Sequence, residues 1–366
     1  MDANKRLASL DALRGFDMLF ICGLASLITA ICSLFPNGSE SWLAQQMTHV
    51  DWNGLRHHDT IFPLFLFIAG ISFPFSYAKQ KAVGASKAQT CLKIVRRALL
   101  LVLFGFICNG LFKLQFEHFR FYSVLARIGM AWMFASFMFI SFKPGTRAII
   151  AGAILIGYWL LLRFVPAPDA PGADPFSFEG NLVGYIDRVL MPGHLYNDTF
   201  DPEGLLSLLP SIVTAMLGMF TGELVQAQGP SGGRKTLIMI SAAVAMLILG
   251  LIWSRWFPIN KKLWSSSFVL VVGAYSLAMF ALFYWIIDVK GLDGWILPLR
   301  VVGMNSITIF MAPRIINFRY ATDFFLKGVQ DLCTPELGKV IWYAGYLTLI
   351  WLFLYFLYKK KIFLKI

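Results

Sequence analysis

Thr236-Leu237-Ile238-Met239-Ile240-Ser241-Ala242-Ala243-Val244-Ala245-Met246-Leu247-Ile248-Leu249-Gly250-Leu251-Ile252-Trp253-Ser254 is nineteen residues without one charge. A helix needs about 20 mostly apolar residues to cross the hydrocarbon core of a bilayer, so this stretch reads as a transmembrane span. It is not isolated, because apolar runs recur from Leu10 almost to the end of the 366-residue chain. Hydrophobic residues make up 58% and charged residues 14%, with a mean hydropathy of +0.67. A soluble domain carries roughly 25% charged residues, so this chain lacks the polar surface of a water-soluble fold. The same figures exclude intrinsic disorder, which needs low hydrophobicity and high charge. Ten spans are expected, over 16–35, 60–78, 97–112, 122–142, 147–165, 204–225, 236–254, 265–287, 296–316 and 338–358. The expected fold is all-α: one integral-membrane helix bundle over 1–366, with the lipid bilayer as its first partner.

The net charge of +12 fits the positive-inside rule better than a polyanion partner. No basic run with interleaved aromatics resembles a nucleic-acid groove binder. Lys and Arg are twice as frequent in one set of alternate loops as in the other, which predicts that both termini are cytoplasmic. Lys79, Lys81, Lys87, Lys93, Arg96 and Arg97 form the strongest inner loop, and Lys359, Lys360, Lys361 and Lys365 anchor the tail. Loop 166–203 is the longest outer one and is mostly acidic. The segment 1–14 is too charged, and lacks the small-residue cleavage site, for a removed signal peptide. Residues 39–50 read as a short interfacial helix. The five cysteines are too scattered for a disulfide framework.

On this topology all five histidines, His49, His57, His58, His118 and His194, fall outside. Histidine titrates near neutrality, which suits it to proton transfer. The cluster from Thr48 to Asp59 packs three imidazoles, two carboxylates and an indole at the mouth of the second span. Its spacing matches no zinc pattern, so no metal is expected. Ionisable groups inside spans cost several kcal/mol or are lowered by partners, so each is a functional candidate. Asp11, Arg14 and Asp17 share one helical face, Arg127 lies in the fourth span, and Arg300 and Asn305 lie in the ninth. Gly70, Gly105, Gly129 and Gly303 read as close helix contacts.

Two stretches carry a family resemblance. Arg6-Leu7-Ala8-Ser9-Leu10-Asp11-Ala12-Leu13-Arg14-Gly15 resembles the opening of polytopic transmembrane acyltransferases. His49-Val50-Asp51-Trp52-Asn53-Gly54-Leu55, followed by Asp59-Thr60-Ile61-Phe62-Pro63-Leu64-Phe65-Leu66-Phe67-Ile68, is similar to the heparan-alpha-glucosaminide N-acetyltransferase family and its bacterial relatives. Collinear matches continue at 184–188, 201–206, 257–264, 288–292, 303–307 and 360–363.

The resemblance implies transfer of an acetyl group from cytosolic acetyl-CoA, a co-substrate, to an amino sugar or glycan on the periplasmic or lumenal side. It implies His49 as the active histidine, acting as general base or transient acyl carrier. Asp59 or Asp51 is expected to orient its ring, with Asp17 as a further catalytic candidate. Arg14, Lys93, Arg96, Arg97 and Arg127 are the expected acetyl-CoA ligands, since Arg grips phosphate bidentately and Lys acts as a point charge. Trp52, Asn53, His58, Glu203 and Asn305 are the candidates for holding the acceptor or the developing oxyanion. The family's Asn late in the first span is absent, because this chain reads Leu24-Ala25-Ser26 there. Short loops suggest a bacterial inner membrane, or a lysosomal membrane in a eukaryote, and the resemblance leans towards a homodimer. The rival reading is a transporter or flippase for a glycan or anionic solute.

Overall fold

A computed structural model describes residues 7–197 and 199–364. Arg6 and Lys365, named above in a motif and in the tail, and position 198 of the acidic loop lie outside the described residues. The described chain is built of helices and connecting loops, with no strand among the described residues. Among the described residues, eight helices are long and apolar enough to cross a membrane: Ala8–Cys32, His57–Ala82, Val124–Ser141, Pro144–Phe164, Leu208–Gln226, Gly232–Trp253, Ser266–Val289 and Pro335–Lys359. This is a multi-pass membrane protein.

Two of the ten expected spans take another form. Lys87–Cys108 is a 22-residue helix, but Lys87, Lys93, Arg96 and Arg97 charge its first half. Ser86 and Gln89 close a reciprocal capping box at its start, which ties down the first orphan amides of the helix. The segment expected over 296–316 is two short helices, Leu297–Met304 and Ser306–Ile315, interrupted at Asn305 with φ −118° and ψ 24°. An Asn competes for backbone hydrogen bonds, and here its side-chain amide donates to Val301 O at 3.3 Å. The interfacial helix expected over 39–50 contracts to Trp42–Gln46, capped by Ser41, with Trp42 largely exposed.

The described chain divides into two compact units. The first comprises 52–54 and 62–278. Its helices pack closely where glycine removes a side chain: a Cβ on Gly70 would overlap the Ala215 carbonyl, and one on Gly218 the Phe67 carbonyl. A separate aromatic core of Tyr158, Leu162, Phe176, Leu182, Val183, Phe200, Phe257 and Leu263 gathers the loop segments of this unit. Burying a side chain of this size contributes roughly 1.5–3 kcal/mol, which suffices to order a loop region without regular structure.

Among the described residues the second unit comprises 7–51, 55–61 and 279–364. Its first helix, Ala8–Leu19, packs against Leu297–Met304 at two glycines: a Cβ on Gly15 would overlap the Leu299 carbonyl oxygen, and one on Gly303 that of Asp11. The first span then passes through a π-turn, Phe20–Leu24, where Gly23 takes φ +131°, a conformation that only glycine adopts without strain. Phe20, Ala25, Met47 and Ile61 form a small core there, with Phe16, Leu24 and Ile28 packed on it.

Candidate active site

The start of helix His57–Ala82 sets the site in the second unit. Asp59 is the third residue of that helix, and its Oδ2 accepts the backbone N–H of Arg56 at 3.2 Å and of Val50 at 3.3 Å. A carboxylate reaching back to the residue before the first turn is one half of a capping box, and a helix N-terminus favours negative charge. The N–H of His57 is satisfied by Gln46 Oε1 at 2.8 Å. These bonds explain how a carboxylate only 1% exposed is held at the edge of an apolar span.

The other carboxylate oxygen, Oδ1, lies 2.7 Å from His49 Nδ1. The His49 side chain is 53% exposed. A buried acid bonded to Nδ1 fixes the tautomer in which Nδ1 carries the proton and Nε2 presents its lone pair. The His58 ring lies 4.5 Å from that of His49, centroid to centroid, and the His57 ring packs 4.6 Å from Phe20. Among the described residues no three His, Cys, Asp or Glu side chains group as a metal site.

Other expected site residues are placed differently. Asp17 is buried on the first span, and its Oδ2 has no hydrogen-bond partner among the described residues. Arg14 reaches Asp11 at 3.5 Å. Asn305 is buried, with Oδ1 unpartnered. In the first unit, Trp52 donates its indole N–H to Phe176 O at 2.7 Å and packs edge-on against Phe178 and Phe200, with Lys262 Nζ 5.8 Å from its ring centroid. Asn53 Oδ1 accepts from Asn260 at 3.1 Å. Lys93 and Arg96 are exposed, while the Arg97 guanidinium stacks 4.4 Å over Trp132.

Glu203 and Arg127 belong to a network that the sequence did not reveal. Arg120 forks onto Asp201, with Nε–Oδ2 2.7 Å and Nη2–Oδ1 2.6 Å, and also bonds Glu203. Arg127 is buried, donates to Gly204 O at 2.9 Å and to Ser207 Oγ, and lies 5.1 Å over the Trp264 ring. Asp187 accepts from Tyr122 Oη at 2.8 Å and from Leu205 N at 2.9 Å. Burial pushes the Asp187 carboxyl up from 3.8 to about 6, against the pull of those two donors.

Comparison with known proteins gives this geometry its context. A family profile described only as a domain of unknown function, DUF5009, matches residues 6–114, which include the His49–Asp59 pair. Human heparan-alpha-glucosaminide N-acetyltransferase is 30% identical over 424 aligned positions, covering 99% of this chain and 60% of its own length. The mouse protein of the same name is 28% identical with the same coverage. Over nearly its whole length the chain is thus similar to proteins named heparan-alpha-glucosaminide N-acetyltransferase. It spans about 60% of the length of the curated relatives that it matches.

Proposed function

We propose that the chain is a membrane-bound acyltransferase that moves an acetyl group from cytosolic acetyl-CoA to an amino sugar or glycan on the periplasmic or lumenal side. The observation that carries this reading is the half-exposed His49 imidazole held through Nδ1 by the buried Asp59 carboxylate. The relationship to named N-acetyltransferases supports acetyl transfer as the reaction class, and acetyl-CoA is the common donor for that class.

In the proposed step, His49 Nε2 takes a proton from the acceptor amine as its nitrogen attacks the thioester carbonyl. The new N–C bond forms, the C–S bond breaks, and the proton taken up by His49 passes to the departing thiolate, so that neutral amine and thioester give amide and thiol. Asp59 stabilises the imidazolium formed on His49. A positioned base of this kind contributes roughly 10²–10⁴-fold in rate. Lys93, Arg96 and Arg97 supply positive charge for the donor's phosphates on the cytoplasmic face of the membrane.

The test is His49→Ala in purified, reconstituted protein with labelled acetyl-CoA and a panel of amino sugars. Transfer should fall by about 10²–10⁴-fold while the protein remains monodisperse. Near-normal transfer would remove His49 from the chemistry. Specific acetyl-CoA binding in detergent would separate this reading from that of a glycan transporter, and its absence would favour the transporter.

A further inference from the structure

We infer that Arg56 is a positioning residue for the His49–Asp59 pair, acting on the backbone of His49 while Asp59 acts on its ring. The inference rests on the reading of His49 as the reacting imidazole.

The geometry is a closed hydrogen-bonded circuit. Arg56 Nη1 donates to the carbonyl oxygen of His49 at 3.0 Å and to Thr48 Oγ1 at 2.6 Å. The backbone N–H of the same arginine donates to Asp59 Oδ2 at 3.2 Å. Asp59 Oδ1 returns to His49 Nδ1 at 2.7 Å, and Val50 N donates to Asp59 Oδ2 at 3.3 Å. One residue thus touches both ends of the catalytic pair, through its side chain at one end and its main chain at the other.

The need for such a clamp follows from the local structure. Helix Trp42–Gln46 has ended before His49, and the helix beginning at His57 has not yet started, so His49 lies in irregular chain. Its ring is half-exposed and lies against that of His58. Asp59 holds the ring at Nδ1 and the His49–Val50 peptide at its N–H edge, which leaves that peptide able to pivot at its carbonyl edge. Arg56 removes this freedom with a charged donor, and charge-assisted hydrogen bonds are roughly twice as strong as neutral ones. The planar guanidinium is pre-organised for two acceptors and always carries its proton, so the clamp does not compete with the proton transfer it supports. Misplacing a reacting group by about 1 Å can reduce a rate ~100-fold.

The experiment compares Arg56→Ala, Arg56→Lys and Thr48→Val with the parent protein in lipid nanodiscs. Arg56→Ala should lower kcat about 10–100-fold with the KM for acetyl-CoA and for the acceptor within about twofold. Arg56→Lys should recover part of kcat, because an ammonium keeps donors for the same two oxygens. Thr48→Val keeps the arginine and removes one acceptor, so it should lower kcat by a smaller factor in the same direction. A readout independent of turnover is the ¹⁵N NMR signature of the His49 ring: one tautomer in the parent, and a tautomer mixture in Arg56→Ala. Wild-type kcat with an unchanged tautomer signature in a folded Arg56→Ala protein overturns the inference. If Arg56→Ala does not fold, Thr48→Val decides: unchanged kcat and tautomer reject the clamp. Full activity in His49→Ala instead rejects the acyltransfer reading beneath it, so the two failures are distinguishable.

Discussion

Two buried carboxylates in this protein have opposite surroundings. Asp201 faces the fork of Arg120 and accepts the backbone N–H of Tyr196 and Glu203, so each of its oxygens already meets a donor. Asp59 is equally buried and also accepts two backbone N–H groups, yet its side-chain partner is an imidazole open to solvent. Arginine keeps its proton under all ordinary conditions, whereas histidine exchanges one near neutrality. Burial of an acid therefore does not mark chemistry. The partner's ability to release a proton does.

The largest effect that tests this contrast is on stability. Arg120→Ala leaves Asp201 buried without its cation and should cost ~3–5 kcal/mol, seen as a lowered Tm of the solubilised protein. If the variant melts like the parent, the Arg120 network is not the structural knot described. The next test concerns Asp187, whose carboxyl is raised to about 6 by burial. A raised acid favours the protonated fold, so its contribution is present below about pH 4 and is lost as pH rises through about 6, a swing of ~3 kcal/mol. Asp187→Asn keeps an acceptor for Tyr122 and should flatten the stability profile across that window. An unaltered slope would contradict the assignment.

Asp59→Asn sharpens the other side. It keeps the shape of the cap but no longer favours the imidazolium, so kcat should drop about 100-fold, ~2.7 kcal/mol, with a Tm shift far smaller than that of Arg120→Ala. A Tm collapse with normal specific activity in the surviving fraction would place Asp59 with Asp201 as a structural acid. The smallest effect is expected at the donor end. Arg97→Ala should raise the KM for acetyl-CoA by up to about tenfold, ~1.4 kcal/mol, and unchanged kinetics would leave Arg97 as a partner of Trp132 alone.

The membrane helices were legible because a span must satisfy its own backbone and present apolar side chains over a fixed length. Gly232–Trp253 and Pro144–Phe164 emerge within a few residues of the expected limits. The break at Asn305 was not legible, since its side chain turns back on its own helix and an apolar run looks continuous across it. His49 and Asp59 could be picked out by residue type and motif, although not the choice of Asp59 over Asp51, which depends on where the first turn of a helix falls. Arg120, Tyr122, Asp187 and Ser207 gave no local signal. Their partners lie 65 to 83 residues away, and no periodicity encodes a contact of that range. Arg56 was hidden for the opposite reason: it sits among so many candidates that nothing distinguished it before its bonds were known.

The paired glycines of the second unit have a mechanical consequence. With the Leu299 carbonyl against Gly15 and the Asp11 carbonyl against Gly303, the two backbones mesh like gear teeth at two points one helical turn apart. Axial sliding of one helix along the other would drive a peptide group into its neighbour, so the two must travel as one piston. On the proposed reading, a passage for saccharide or thioester lies outside this seam.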